Sequence, residues 1–302
     1  MGSSTPSTTS GSDAGRAPNL VVRIQSPDQP GLIARLSSFF WERGFNVLHC
    51  EQHTDRRAGR FFMRLKLDLS GLSSSRRELE EELRKFVEPL EAQVAVHYSD
   101  RRQRVALLVT KASHCLYDLM LRQKEGDLDC DIPLILSNHP HLEEVAEQFR
   151  IPYFCLPVSR ETKAQQEEEV RRLLRQHHID LVVLARYMQV LTADFVDAWA
   201  GRIINIHHAF LPAFQGARPY RQAYERGVKM IGATAHYVTA DLDEGPIIEQ
   251  DVERVSHEHS PRQLSRIGRD IERRVLSRAV KAHLEHRVLL DGARTVVFSG
   301  DA

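Results

Sequence analysis

At "DRRQR", Asp100–Arg104, a charged run without periodicity separates two different patterns in the chain. Behind it, apolar runs of the kind seen in strands buried on both faces alternate with helical stretches. The order is "VALLVT", "CLYDLMLRQKEG", "IPLILSN", "HLEEVAEQF", "YFCLPV", "QQEEEVRRLLRQHH" and "IDLVVLA", then a helix around Phe195–Trp199 and "RIINIHH". A helix reaching Tyr224, "GATAHYV", "GPIIEQDV" and a long helix from about Pro261 to His283 complete it. This succession predicts a doubly wound, mostly parallel α/β domain over residues 104–302, with ligands at the carboxyl ends of its strands. No GxGxxG or GxxxxGK[ST] phosphate loop occurs in it.

Residues 19–100 follow another order. "NLVVRIQS" reads as a strand and "PDQPG" as a turn, and Leu32, Ile33, Leu36, Phe39 and Phe40 recur at helical spacing until Gly44. "FNVLHCEQHT" and "RFFMRLKLDL" form two strands around "DRRAG". "SSSRRELEEELRKFVEPLEA" is a helix with a serine run able to cap it, and "QVAVHYS" is a last strand. The result is βαββαβ, the ferredoxin-like arrangement. Residues 1–18, dominated by Ser, Thr, Gly and Pro, are expected to be a disordered leader.

Composition narrows the partners. Lysine and arginine number 41 against 41 acidic residues, so no global field favours nucleic acid or an anionic membrane. Cys50, Cys115, Cys130 and Cys155 lack the spacing of a disulfide framework or a zinc knuckle. No segment reaches transmembrane length and the start lacks a signal-peptide core, so a cytoplasmic location is expected.

The chemistry concentrates in "IINIHHAFLPAF", Ile203–Phe214. Strand alternation points Asn205 and His207 to one side and His208 to the other, which makes a metal shared by the two histidines unfavourable. Leu211-Pro212 then ends regular structure. An amide donor beside an imidazolium suits a developing oxyanion. In "YVTADLDEGPIIEQD" a loop carries Asp241, Asp243 and Glu244, and a carboxylate there could orient the imidazole and accept a proton. Taken alone, such an Asn-x-His is more simply a loop amide and a structural histidine, and acidic loops are usually just solvated. His257 and His259 lie in a turn-like segment without a third ligand, and no metal is expected.

Together these stretches resemble the folate-dependent formyltransferase family, whose motif is Asn-Ile-His followed by Leu-Pro, with a downstream Asp before a Gly. The N-terminal βαββαβ unit with "SPDQPGLIARLSSFFWERGFNV" is similar to an ACT module. The resemblance implies Asn205, His207 and Asp243 as catalytic residues. "ARYMQVL", Ala185–Leu191, resembles the segment whose backbone lines the pterin pocket, implying Met188, Gln189, Val190 and Leu191 as substrate-binding, with Ala240 and Asp241 on the opposite wall. Members that act on glycinamide ribonucleotide need a small Gly-rich turn after the first strand, to cradle a phosphate at a helix start. This chain has "VTKASHCLYDL" there, without glycine, although Lys111 and Ser113 could still touch an anion.

That departure favours water as acceptor, hence hydrolysis of 10-formyltetrahydrofolate to tetrahydrofolate and formate for one-carbon and purine metabolism. His208, where the ribonucleotide-using members usually have Pro, is either a packed neighbour or a positioner of that water. Transfer of the formyl group to an amine and a non-enzymatic folate and amino-acid sensor are the alternatives. No cofactor beyond the folate substrate is implied. Resemblance to the water-using members also implies a homotetramer, with methionine and glycine as effectors at the ACT turn of Asp28, Pro30, Gly31 and Leu32, where Gly31 allows close backbone approach. The alternative for that module is subunit glue alone.

Overall fold

The computed structural model describes residues 18–71, 75–212 and 219–300. Residues 1–17 of the expected leader, and Ala213 and Phe214 at the end of the Asn205 stretch, lie outside the described residues. The chain divides into two compact units, residues 1–100 and 101–302.

The first unit runs β1 (Asn19–Pro27), α1 (Leu32–Trp41), β2 (Val47–Asp55), β3 (Arg60–Asp68), α2 (Arg76–Val87) and β4 (Gln93–Tyr98). Its four strands form an antiparallel sheet in the order β2-β3-β1-β4. Alternation puts Leu20, Val22 and Ile24 of β1 and Phe61, Met63, Leu65 and Leu67 of β3 on one face, where they close a core with Leu36 and Phe40 of α1 and Leu79 and Leu83 of α2. The last residue of the serine run, Ser75, caps α2: its hydroxyl accepts from the Glu78 N–H while the Glu78 carboxylate accepts from the Ser75 N–H. In the turn before α1, Asp28 donates its backbone N–H to Gly59 O at 2.8 Å and Gly31 takes φ +84°. Asp28, Pro30 and Gly31 are exposed, whereas Leu32 is 3% exposed and belongs to the core.

The second unit continues with β5 (Gln103–Val109), α3 (His114–Glu125), β6 (Cys130–Ser137), α4 (Glu143–Gln148), β7 (Tyr153–Cys155), α5 (Lys163–Gln176) and β8 (Leu181–Leu184). After these come α6 (Ala193–Ala198), β9 (Ile203–His207), α7 (Pro219–Glu225), β10 (Met230–Tyr237), β11 (Ile247–Arg254), α8 (Pro261–Leu284), β12 (Val288–Asp291) and β13 (Arg294–Val297). Seven strands form one sheet in the order β11-β10-β9-β8-β5-β6-β7. The pairs from β7 to β9 are parallel, and β10 and β11 extend that edge antiparallel.

From β5 the chain builds outward to β6 and β7, then crosses back to add β8 and β9 on the other side, so the order reverses between β5 and β8. A crevice opens at such a reversal because the connections leave the sheet in opposite directions. Both faces are covered. Val105, Leu107, Ile204 and Ile206 face α3 and α8, and Ala106, Leu108, Val182 and Ile203 face α5 and α6. That double burial is why these strands read as continuous apolar runs.

Candidate active site

The site forms where β8 and β9 end. Ile203 packs toward α5 and α6 and Ile204 and Ile206 toward α3 and α8, so strand alternation sends Asn205 and His207 out on the α5 and α6 face. Antiparallel pairing then sets His236 of β10 opposite Asn205, and Thr234 opposite His207. Asn205 Nδ2 lies 3.3 Å from His236 Nε2, and His236 Nδ1 donates to Tyr237 O at 2.9 Å. With Nδ1 as donor, the neutral His236 ring accepts from one of the two Asn205 amide hydrogens, leaving the other for a ligand.

Asp243 reaches this pair from the loop between β10 and β11. Its Oδ2 is 3.1 Å from His207 Nδ1 and its Oδ1 is 3.7 Å from His236 Nε2. The loop is folded tightly enough to give Asp243 φ +59°. Its return lies against β10: a Cβ at Gly245 would stand 1.7 Å from the Tyr237 carbonyl oxygen, so only glycine fits the crossing. The hydrogen bond from His207 Nδ1 holds the Asp243 carboxyl well below the usual carboxylate range despite partial burial. Asp243 is therefore a carboxylate that fixes the His207 ring with its Nδ1–H inward. The opposite nitrogen, His207 Nε2, is buried and has no hydrogen-bond partner. A buried imidazole nitrogen left open beside an available amide N–H is an acceptor and donor waiting for a reacting group.

His208 stands differently from its expected separation. Its partners do lie on the α3 and α8 side, yet its ring stacks on His207 with centroids 4.9 Å apart and planes 21° apart. Alternation separates neighbouring side chains only while the strand lasts, and β9 ends at His207. Arg186 Nη1 lies 2.6 Å from His208 Nδ1, while Arg186 Nε lies 3.4 Å from Glu272 Oε2. Glu272, 1% exposed on α8, also meets His114 Nε2 at 2.7 Å and accepts from the Tyr220 hydroxyl at 2.5 Å. Burial opposes charge on Glu272, but the His114 hydrogen bond and the Arg186 guanidinium outweigh it and keep the carboxyl below its ordinary value. Gly268, one turn earlier on α8, leaves room for the Tyr220 ring. His114, Cys115 and Glu272 also form a grouping of metal-ligand type, but the Glu272 oxygens are already committed to Arg186, Tyr220 and His114. Likewise His259 Nδ1 accepts from the Ser256 N–H at 3.0 Å, a turn contact.

The 188–191 segment is fastened at several points. Met188 N donates to Thr110 Oγ1 at 2.9 Å, Lys163 Nζ donates to Val190 O at 2.6 Å, and the buried Glu167 accepts from Thr192 N at 3.0 Å. Met188 and Val190 are 58% and 56% exposed, Gln189 and Leu191 are half-buried, and Ala240 and Asp241 are exposed. Leu191 and Val238 pack onto the same apolar cluster, which brings the bases of the two loops to one face of the sheet. The backbone N–H of Met188 and the carbonyl of Val190 already have protein partners, so a ligand here would use the remaining backbone groups. Lys111 and Ser113 sit between β5 and α3, where Ser113 makes no side-chain cap.

Fold and site together define an acyl-transfer enzyme of the formyl transferase type carrying an ACT domain. The Formyl transferase family model matches residues 103–280 and the ACT domain model residues 20–84. A formyltetrahydrofolate deformylase from Synechocystis is 52% identical over 91% of this chain and 97% of its own. The crystal structure of a formyltetrahydrofolate deformylase from Pseudomonas syringae matches with a TM-score of 0.92 at 42% identity, covering 95% of this chain and 96% of that one. Glycinamide ribonucleotide transformylase 1 from Symbiobacterium toebii matches 67% of this chain and 97% of its own, with a TM-score of 0.63 and 28% identity. The chain belongs to the formyltetrahydrofolate deformylase family.

Proposed function

We infer that the chain hydrolyses 10-formyltetrahydrofolate to tetrahydrofolate and formate. The observation that carries this reading is the open Nε2 of a buried His207 whose other nitrogen is held by Asp243, next to a free Asn205 N–H. The formyl oxygen lies toward Asn205, and water adds to the formyl carbon as His207 Nε2 takes its proton. The imidazolium, balanced by Asp243, and the Asn205 amide together stabilise the tetrahedral oxyanion. The proton then passes from Nε2 to the folate nitrogen as the C–N bond breaks, and formate leaves. His208 and the segments Met188–Leu191 and Ala240–Asp241 are the proposed water-side and pterin-side walls. The relatives named as deformylases match across both units, whereas the glycinamide ribonucleotide enzyme covers about the span of the second unit alone, which favours water as acceptor.

Purified chain given 10-formyltetrahydrofolate and no acceptor should release formate. Turnover only after an amine is added would identify a transferase, and no turnover under either condition a sensor. The reaction calls for no metal, since a formamide carbonyl is electrophilic once its oxyanion is stabilised. Exhaustive treatment with a chelator should leave the rate unchanged, as measured by formate release. Among the described residues no helix is long and apolar enough to cross a membrane. The reading places the enzyme in the cytoplasm as a homotetramer, supplying formate for purine synthesis, with methionine and glycine acting at the Asp28–Leu32 turn. Calorimetric titration of the full chain with each amino acid tests the last assignment, and absence of heat from both would leave subunit contact as that domain's role.

A further inference from the structure

Hydrolysis by the route above, on which this inference rests, puts a positive charge on His207, and a second imidazole lies face to face with it at 4.9 Å. Charge on both rings would be mutually opposed. The structure gives the two rings partners of opposite sign: a carboxylate at Nδ1 of His207, and a guanidinium 2.6 Å from Nδ1 of His208. A guanidinium only donates, so His208 Nδ1 must accept, and the ring is the neutral tautomer with its proton on Nε2.

The guanidinium lies beside a buried carboxylate. Arg186 takes φ +66°, a region that residues with a Cβ seldom occupy, and its Nε faces Glu272, which is itself anchored by His114 of α3 and Tyr220 of α7. The charged and titratable groups around His208 are His207 on β9, Arg186 after β8, Tyr220 with its ring 6.4 Å away, Glu272 on α8 and Asp243 after β10. Glu272 and Asp243 favour charge on His208, but they are engaged with Arg186 and His207 respectively. Burial, then Arg186 and His207, prevail and push the ring down to about 4.

We propose that Arg186 is a positioning residue for the reaction, holding His208 as a neutral Nε2–H tautomer and so reserving the positive charge for His207. Histidine side-chain NMR of the full chain against pH reads this directly. In the wild-type protein the His208 ring should stay neutral, with its proton on Nε2, down to about pH 5. In R186Q its midpoint should move up from the wild-type position while burial still holds it below the ordinary value, and the acid limb of kcat/KM should shift to higher pH than in the wild type. The double variant R186Q/H208Q should return that limb to its wild-type position, which a purely structural role of Arg186 would not produce. A wild-type His208 midpoint near 6.5, a pH profile of R186Q superimposable on wild type, or a limb that stays displaced in the double variant would each overturn the assignment. The wild-type titration needs neither a folded variant nor turnover. Formate release is scored separately, so failure of the deformylation reading and failure of the Arg186 role give different results.

Discussion

At the scale of single residues, the three groups around the proposed formyl position carry separable costs. His207→Ala removes the group that moves the proton and should lower kcat for formate release about 100- to 10,000-fold. Asp243→Asn keeps the shape but loses the carboxylate opposite Nδ1, and belongs to the same range. Asn205→Ala removes one oxyanion donor and should cost about 100- to 1,000-fold. Steady-state formate release with circular dichroism of each variant checks all three, and near wild-type turnover by His207→Ala would overturn the site. These residues were legible in the chain because each lies in a contiguous stretch that advertises its geometry: a strand end for Asn205 and His207, a Gly-Pro-punctuated loop for Asp243. His236 was not, although it shares their face, because its relation to Asn205 exists only through the register of two strands separated by about thirty residues. Arg186 lies in the pterin-loop stretch, but its partners His208 and Glu272 are far along the chain and meet it only in the fold. A signal for Glu272 was present, since it follows Ile271 and precedes Val275 on the buried stripe of α8, and a carboxylate there requires partners. Which partners, only the packing of α8 on the sheet reveals.

At the scale of elements, the loop from Val238 to Pro246 depends on a crossing as well as on its own turn contacts at Asp241 O. Tyr237 N donates to Pro246 O at 2.9 Å, and Gly245 has no room for a Cβ. Gly245→Ala should therefore push Asp243 away from His207 and lower kcat toward that of Asp243→Asn, with a stability loss of about 1–3 kcal/mol from overpacking. Comparing kcat with urea unfolding separates the two effects; full activity in a folded variant would mean that the loop is free to shift. The alternation of strands and helices made most of the second unit readable, and the βαββαβ order most of the first. The β12–β13 hairpin was not legible from that alternation, since its two four-residue strands flank a two-residue Gly292-Ala293 loop and form a sheet of their own outside the main layer. The antiparallel direction of β10 and β11 was also invisible, since a buried apolar run looks the same in either direction.

At the scale of the whole molecule, the buried charges of the site make folding respond to pH. Asp243 titrates below its ordinary 3.8, so its contribution is complete above that value and is lost only as pH falls through the lower folded value. His208 works at a milder pH. Burial, then Arg186 and His207, push its pKa down to about 4 from an ordinary 6.5, so the unfolded chain binds a proton first and stability declines as pH drops from 6.5 toward 4. The thermal midpoint of the wild-type chain should fall across that window, and H208Q should show a shallower fall. Equal slopes in differential scanning calorimetry would remove His208 from the account.

The chain between His208 and Pro212 is held largely by its neighbours. The Thr234 hydroxyl donates to Ala209 O at 2.9 Å and accepts from Leu211 N at 3.0 Å, and Gln250 Nε2 donates both to that hydroxyl and to Leu211 O. All the loop groups in this set are main-chain atoms, so its shape is inscribed in β10 and β11 rather than in its own side chains. Transplanting Ala209–Leu211 into a different sheet would carry the letters without the conformation, whereas Thr234 and Gln250 would have to travel with them. Of the three side chains, those of Ala209 and Leu211 are buried, so exposed Phe210 is the loop position open to drift in a way that those two strand positions are not.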